Sequence, residues 1–242
     1  MSRPTPGPAP LLRPARPVQP VRPRGTALTA PPDGPAPPAA APVPGPDDEV
    51  LQGVLDEARA RGFLGPGPVD AHVAHAAPLV PVLPSGGPIV DLGAGGGVPG
   101  LVLALARPDT RWVLVEAQRR RADWLTEAVG ALALGGRAEV RNERAEVTGR
   151  GPLRRQAVAV VARGFGGPGV TAECAAPLLG AGATCWVSEP PGAPPRWPDA
   201  GLAELGLRVG GRVEGWVGLS AVSPCPDRYP RRVGIPGKRP LF

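Results

Sequence analysis

The stretch Ile89–Leu101 constrains the fold of this chain more than any other. A short apolar run ends in Asp91, a loop with four glycines follows, and an apolar segment of helical period begins after Pro99. Glycine lets the backbone adopt positive φ and lets a ligand approach the main chain. Proline fits the first turn of a helix, where no N–H is needed. The order strand, loop, helix therefore predicts a ligand site at free N–H groups of a helix N-terminus.

Two classes of cofactor fit this loop. From Asp91 onward the pattern is Asp-x-Gly-x-Gly-x-Gly, with Gly93, Gly95 and Gly97 as its glycines, in the style of S-adenosylmethionine enzymes. From Gly95 it is also Gly-x-Gly-x-x-Gly, the dinucleotide fingerprint. In the dinucleotide version the first glycine ends the strand, but the sixth position counted from Gly93 is Val98. We therefore favour the methyl donor and expect Asp91 and these glycines to form its site.

Apolar strands alternate with helical segments along most of the chain. The order predicts an α/β fold with a mostly parallel sheet and helices on both faces. Predicted strands are Ile89–Leu92, Trp112–Glu116, Ala138–Arg141, Val158–Ala162 and Thr184–Ser188, with an antiparallel pair over Leu207–Val213 and Trp216–Val222. Predicted helices between them are Val98–Arg107, Arg119–Leu134 and Pro168–Leu179.

Four regions follow from composition and pattern: an arm over 1–46, a helical layer over 47–86, a cofactor-binding domain over 87–226 and a basic tail over 227–242. The arm holds 16 prolines and five arginines against one acid, without helical or strand period, which predicts a disordered extended segment. In the helical layer, Asp47 and Asp48 are placed to cap a helix that stops at Gly62, and a second helix is predicted over Val69–Leu79.

Positive charge is concentrated at both ends of the chain. The net charge is +6, and the arm and the tail each carry +4. Basic ends on a near-neutral domain suggest contact with nucleic acid, although a coding bias towards arginine is an alternative origin for the arm. The tail residues expected to bind RNA are Arg228, Arg231, Arg232, Lys238 and Arg239.

Other features favour a cytoplasmic protein without metal. No apolar run reaches the ~18 residues of a membrane span, and no signal-peptide core is present. The three cysteines are odd in number and widely spaced, as in a reducing compartment. His72 and His75 share one helical face, but without partner cysteines or acids we expect no metal there. We further expect no membrane contact and a monomer.

Ligands of such sheets bind at the carboxyl ends of the strands, so the residues that follow each strand are candidates. Glu116 ends the second predicted strand and is placed to accept both ribose hydroxyls of a nucleoside cofactor. After the third strand, a loop backbone around Ala145 and Glu146 can hydrogen-bond an adenine edge, and Ala145 leaves room for the ring. Arg163 follows the fourth strand and could hold the cofactor's carboxylate or an RNA phosphate, or form a structural salt bridge. It is the one candidate catalytic residue.

These motifs resemble the RsmG (GidB) family of 16S ribosomal RNA guanine-N7 methyltransferases. The glycine loop ending in Pro99-Gly100, the run Arg144-Ala145-Glu146 and Arg163 carry the resemblance, and it extends over roughly 50–242. The closing segment from Arg228 to Leu241 is similar to the family's Tyr-Pro-Arg-Lys-x-Gly-x-Pro-x-Lys-x-Pro-Leu ending. The resemblance implies a class I, Rossmann-like methyltransferase fold and methylation of one guanine in the small ribosomal subunit. It implies that S-adenosylmethionine touches Gly93, Val98, Ala145, Glu146 and Arg163, with Glu116 following by position.

The chain departs from the family pattern at two places. The family has a His-x-x-Asp-Ser element; His75 is a candidate match, but Pro78 and Leu79 then stand where Asp and Ser would be. The family usually has a lysine after its fifth strand, and this chain has Glu189 there. An anion in place of a cation is unfavourable beside an RNA site.

The chemistry of a ring nitrogen suits this set of residues. Guanine N7 carries a lone pair and no proton, so its methylation requires alignment and exclusion of water but no general base. The Asn/Asp-Pro-Pro-aromatic tetrad typical of exocyclic-amine methylation is absent from residues 159–166. Two alternatives remain open: a methyltransferase for another RNA or a small molecule, and a catalytically silent, ribosome-associated protein.

Overall fold

A computed structural model describes residues 48–242, and the predicted arm and Asp47 lie outside the described residues. Seven strands form one sheet: β1 Gly86–Leu92, β2 Thr110–Val115, β3 Ala138–Arg141, β4 Ala157–Ala162, β5 Leu179–Ser188, β6 Leu207–Val213 and β7 Trp216–Ala221. The α-helices are α1 Glu49–Ala60, α2 Val69–Ala76, α3 Gly100–Ala106, α4 Arg119–Ala131, α5 Ala145–Thr148, α6 Pro168–Ala175, α7 Asp199–Glu204 and α8 Ile235–Lys238.

The sheet order is β3-β2-β1-β4-β5-β7-β6, which confirms the predicted α/β fold. The first five strands are parallel, and β7 pairs antiparallel with both β5 and β6. The chain turns from one half of the sheet to the other beside β1, which lies between β2 and β4. At such a switch point the loops diverge and leave a crevice at the carboxyl ends of the strands. The predicted ligand loop follows β1 directly.

Alternate residues of the central strands enter two separate cores. Ile89 packs with α1 to α4 on one face, whereas Val90 and Leu92 pack with α6 and α7 on the other. Strand side chains alternate between faces, so a strand that is apolar at nearly every position is stable only when both faces are covered. The uninterrupted apolar runs of the sequence thus correspond to a sheet buried on both sides.

The predicted N-terminal helical layer is present. The Asp48 side chain caps α1 by accepting from the backbone N–H of Leu51 at 3.0 Å. Leu51 and Leu55 are buried in the same core as Ile89, so the layer is part of the packed domain. Within residues 48–242, no helix combines the length and apolarity needed to cross a membrane.

Several helix boundaries differ from the prediction. The helix predicted over Val69–Leu79 is α-helical only to Ala76, and the one predicted to reach Leu134 ends at Ala131. The helix after the glycine loop begins at Gly100 rather than Val98, with Pro99 as its N-cap. The helix predicted to run to Leu179 is α-helical only to Ala175, and Leu179 already belongs to β5. Pro177 explains the early end, because proline inside an α-helix removes a hydrogen bond and clashes with the preceding turn.

The C-terminal segment, residues 226–242, is folded onto the domain instead of extending as a tail. Tyr229 and Pro236 are buried, and Arg154 donates to the carbonyl of Tyr229 at 2.7 Å. The carboxylate of Glu173 has no exposed surface and accepts from Arg231 through the backbone N–H at 2.8 Å, Nε at 2.9 Å and Nη2 at 2.6 Å. A buried carboxylate is expensive unless it is paired, so this ion pair fixes the segment against α6.

We predict that Arg231→Ala destabilises the protein by about 3–5 kcal/mol, because the buried Glu173 carboxylate loses its cation and keeps only the backbone N–H of residue 231 as a donor. Arg232→Ala is the matched control: its exposed neighbouring side chain is expected to change the free energy of unfolding by less than about 0.5 kcal/mol. Urea denaturation at neutral pH measures both. Equal stability of the two variants would show that the ion pair does not hold the segment.

Candidate functional site

A cleft of about 560 Å³ opens at the carboxyl ends of β1 and β2. It contains predicted site residues from three different strand ends, together with part of the C-terminal segment. Its lining includes Gly93, Glu116, Gln118, Arg121, Glu143, Arg144, Ala145, Glu146, Gly164, Phe165, Gly234, Gly237 and Lys238. The switch point of the sheet thus brings Gly93, Glu116, Ala145 and Glu146 together in one cleft.

Gly93 is part of the lining of this cleft, which we call the first cleft. Its φ is +71°, a conformation that disfavours any residue with a Cβ. A Cβ there would lie 2.8 Å from Cδ2 of Phe165, which covers the loop from the β4 side. Gly93 therefore has two reasons to be glycine: backbone conformation and close approach of an aromatic ring.

Glu116 is buried and organises the glycine loop. Its Oε2 accepts from the backbone N–H of Gly95 at 3.1 Å, and its Oε1 accepts from that of Gln118 at 2.7 Å. The Asn142 side chain donates to the Glu116 carbonyl at 3.0 Å, which ties the ends of β2 and β3 together. Each carboxylate oxygen retains a second acceptor position. Glu116 can thus shape the loop and still accept from a ligand.

The C-terminal segment forms one wall of the first cleft, which sequence reasoning missed. The backbone N–H of Gly234 donates to Oε1 of Glu146 at 2.8 Å, and Glu146 is buried. Gly234, Gly237 and Lys238 line the cleft together with Glu116. The available signal is the glycine and proline content around α8, which is unusual for a freely solvated basic tail.

Asp91 lies beneath the loop rather than in the first cleft. Its Oδ2 accepts from the backbone N–H of Gly100 at 2.9 Å, and its buried Oδ1 has no hydrogen-bond partner. Burial raises the pKa of this carboxyl to about 7, although the Gly100 hydrogen bond opposes the shift. Gly95, Gly97 and Val98 are likewise buried and shape the turn without lining the cleft.

Arg163 lines a second cleft, of about 550 Å³, instead of the first. Its Nη2 donates to Nδ1 of His72, and its buried Nη1 has no partner. Burial lowers the pKa of the guanidinium, and the nearby Asp91 carboxylate opposes that shift. Gly164 and Phe165 line both clefts, so the two clefts meet at this loop.

Of the three positions where the chain departs from the expected family pattern, only Glu189 lines the second cleft. His75 contacts Ser188 Oγ through Nε2 at 2.8 Å, and its ring stacks on Trp216 at 5.0 Å. His72, not His75, is the histidine on Arg163. Leu79 is fully buried in the core, and neither it nor Pro78 lines either cleft.

Glu189 is not a free anion on the rim of this cleft. Its Oε1 accepts from the indole N–H of Trp197 at 2.6 Å, and its Oε2 is ion-paired with Arg212. The expected electrostatic penalty beside an RNA site is therefore largely offset by Arg212, and Glu189 anchors the 189–197 loop to β6. Within residues 48–242, no three His, Cys, Asp or Glu side chains are grouped so as to hold a metal ion.

The basic residues of the C-terminal segment divide into two groups. Arg228, Arg232, Lys238 and Arg239 are exposed. Arg231 is held by Glu173, and its Nη2 also donates to the carbonyl of Arg239 at 2.6 Å. We therefore assign Arg231 a structural role and restrict the phosphate-binding prediction to the other four.

Comparison with known proteins identifies relatives over most of the described region. The family model for rRNA small subunit methyltransferase G, GidB, matches residues 68–187. A Ribosomal RNA small subunit methyltransferase G from Synechococcus sp. (strain RCC307) is 36% identical over 185 residues, which cover 68% of this chain and 76% of the relative. One from Rubrobacter xylanophilus is 35% identical, covering 66% of this chain and 67% of the relative.

Solved structures show the same fold at low sequence identity. TYW2 of P. horikoshii, solved in complex with MeSAdo, has a TM-score of 0.51 and 17% identity, covering 66% of this chain and 63% of that chain. A Corynebacterium glutamicum protein has a TM-score of 0.50 and 14% identity, covering 73% and 91%. The mostly parallel seven-stranded sheet is thus the Rossmann-like fold of class I methyltransferases, as the sequence predicted.

We predict that Asp91→Asn gains stability relative to the wild type as pH rises from 5 to 8. The native pKa of about 7 lies above the ordinary value of 3.8, so the native state binds more protons and the wild type loses stability between these values. Asparagine keeps an acceptor for Gly100 and does not titrate. Urea denaturation without cofactor at pH 5 and pH 8 measures the difference, and a constant difference would contradict a buried, ionising Asp91.

Proposed function

The chain belongs to the ribosomal RNA small subunit methyltransferase G family and is a methyltransferase, and from this premise we propose that it methylates N7 of a guanine in 16S ribosomal RNA with S-adenosylmethionine. The observation that carries the proposal is the pair of clefts that meet at Phe165. A donor whose nucleoside lies in the first cleft would extend its amino-acid end past Gly93 to the junction of the two clefts beside Arg163, and its methyl group would face a base in the second cleft.

The residues of the first cleft fit the nucleoside part of this cofactor. Glu116 has a free acceptor position on each oxygen and would accept the ribose hydroxyls. Ala145 lines the cleft with a single methyl group, which leaves room for an adenine ring. Gly93 lines the same cleft as Glu116 and Ala145, so the sulfur-bearing chain of the cofactor would pass over its backbone.

Two buried atoms without partners fit the amino-acid end of the cofactor. Asp91 pairs with Val161 in the parallel register, so Arg163 follows β4 opposite Gly93. Asp91 Oδ1 and Arg163 Nη1 are both buried and unpaired, which is costly for charged groups. An acceptor and a donor at neighbouring strand ends match an ammonium and a carboxylate. We propose that Arg163 binds the carboxylate and that Asp91 stabilises the ammonium.

The protein promotes this reaction by positioning the base relative to the methyl donor. The bound cofactor supplies an electrophilic methyl group on a sulfonium. Because N7 carries a lone pair and no proton, no general base is required, and the loop around Phe165 has to hold the base in line and exclude water. Arg163 lines the second cleft beside this loop, and we assign its guanidinium to the cofactor's carboxylate rather than to the base.

RNA affinity is assigned to the exposed cations of the C-terminal segment, Arg228, Arg232, Lys238 and Arg239. Lys238 also lines the first cleft, so the basic surface reaches the edge of the proposed cofactor site. Phosphate contacts supply salt-dependent affinity and orient the RNA, while base contacts supply specificity. The second cleft, with Arg196 and Trp197 in its lining, is the proposed entry of the guanine.

We predict that purified protein binds S-adenosylmethionine and adds N7-methylguanine to 16S RNA from a strain that lacks this modification. Gly93→Asp is expected to lower cofactor affinity at least tenfold. The new side chain would clash with Phe165, and the positive φ at this position disfavours any residue with a Cβ. Gly136→Asp is the matched control, because a Cβ at Gly136 meets nothing within 4 Å. Calorimetry and mapping of methylated positions in the RNA are the measurements.

The outcomes separate the proposed function from its alternatives. Cofactor binding with RNA left unmodified would favour a silent, ribosome-associated protein. Methylation of another RNA or a small molecule, with 16S RNA left unmodified, would assign a different acceptor. Full cofactor affinity in Gly93→Asp would show that the first cleft is not the cofactor site.

We predict that replacing Arg228, Arg232, Lys238 and Arg239 together by alanine lowers the slope of log affinity for RNA against log salt, by about one for each phosphate that these side chains neutralise. Arg232→Ala alone should reduce the slope, whereas Arg208→Ala, an exposed cation on β6, should not. Filter binding at several salt concentrations gives the slopes. An unchanged slope in the fourfold variant would exclude the C-terminal segment as the RNA-binding surface.

A further inference from the structure

Helix α2 places two histidines at the ends of neighbouring strands. His72 contacts Arg163, directly after β4, and His75 contacts Ser188, the last residue of β5. Both histidines lie on one face of a short helix in the N-terminal layer, and that face covers the strand ends where the second cleft opens.

The hydrogen bonds of His72 define its tautomer. A guanidinium has donors and no acceptor, so Nδ1 of His72 must be unprotonated to accept from Nη2 of Arg163. The proton is then on Nε2, which donates to the carbonyl of Gly65 at 3.1 Å. Burial and the adjacent Arg163 charge lower the pKa of His72, in agreement with a neutral ring. His72 thus forms a directed link from a backbone carbonyl to the guanidinium.

The loop that orients His72 is fixed against the glycine loop. A Cβ on Gly96 would lie 2.9 Å from the carbonyl oxygen of Phe63, so the two backbones are in close contact. Gly65, two residues further along, accepts from His72. The position of Arg163 is therefore set relative to the glycine loop by packed backbone and two hydrogen bonds.

We propose that His72 is a positioning residue that holds Nη2 of Arg163 so that Nη1 is directed at the carboxylate of the methyl donor. The inference rests on the proposed role of Arg163 in binding that carboxylate. Arginine has many rotamers, and a guanidinium fixed before the ligand arrives loses less entropy on binding. The unpaired, buried Nη1 is the atom left for the ligand once His72 has taken Nη2.

The experiment compares two ligands that differ in the amino-acid part. S-adenosylhomocysteine carries the carboxylate and the ammonium, and 5′-methylthioadenosine lacks both while keeping the adenosine and the sulfur. We expect His72→Leu to lower affinity for S-adenosylhomocysteine about tenfold and for 5′-methylthioadenosine less than about twofold, consistent with the weakening of a charge-assisted hydrogen bond. His72→Asn, which retains an acceptor near Nδ1, should recover most of the affinity. Calorimetry on the full chain gives all values.

Two controls test whether His72 acts through Arg163. His75→Leu removes the other ring of α2 without touching Arg163, and it should leave the ratio of the two affinities unchanged. In an Arg163→Ala background, His72→Leu should cause no further loss of affinity for S-adenosylhomocysteine, because the two residues act as one unit. Thermal unfolding of each variant identifies any loss of fold.

Several outcomes would overturn the inference. Equal losses for both ligands, no loss for either, or failure of His72→Asn to recover affinity would each show that His72 does not direct Arg163. If the wild-type protein binds both ligands with equal affinity, the carboxylate contributes nothing to binding and the proposed role of Arg163 is wrong. Methylation of 16S RNA by the wild type, measured separately, remains the test of the proposed function as a whole.

Discussion

The hydrogen bond between Asp91 Oδ2 and the backbone N–H of Gly100 is the constraint on which the site depends. It joins the end of β1 to the first residue of α3 across the glycine loop. A Cβ on Gly100 would lie 2.4 Å from Oδ2 and 2.6 Å from a methyl group of Leu114, so only glycine allows the helix this close to the strand. The Pro-Gly ending of the loop, a sequence signature, thus has a packing reason, and the proposed ammonium partner Asp91 is fixed by the same hydrogen bond.

Those parts of the site that depend on local spacing can be predicted from the sequence. Asp91, Gly93 and Glu116 lie at the ends of strands whose apolar runs mark them clearly, and the carboxyl ends of parallel strands meet at one edge. Ala145 follows from the same reasoning and lines the same cleft. Spacing alone does not show which of the two clefts a side chain lines. Arg163 follows β4 as expected, and its side chain lines the second cleft, where it contacts His72.

When two neighbouring residues are of the same type, the sequence does not show which of them has a structural role and which is free to bind a ligand. Arg231 and Arg232 both belong to a basic run, but only Arg231 reaches the buried Glu173, more than fifty residues earlier in the chain. Glu189 taken alone is expected to repel RNA, because its partner Arg212 comes from β6, and the sequence does not place the predicted antiparallel pair next to the 189–197 loop. In each case the role of a charge is decided by a partner distant in sequence, and periodicity carries no information about such partners.

The two segments outside the parallel sheet hold the proposed cofactor site from two directions. In the N-terminal helical layer, His72 of α2 contacts Arg163. In the C-terminal segment, the backbone N–H of Gly234 donates to Glu146. The exposed cations assigned to RNA lie on the same C-terminal segment as Gly234, and Lys238 borders the first cleft. RNA bound there would restrain a wall of the cofactor cleft, so affinity for one ligand would depend on the other, and linkage requires that this dependence be reciprocal. A Rossmann-like sheet with its glycine loop alone would bind a methyl donor without reference to its acceptor, and in the proposed assignment the C-terminal segment would join the donor site to the RNA-binding surface.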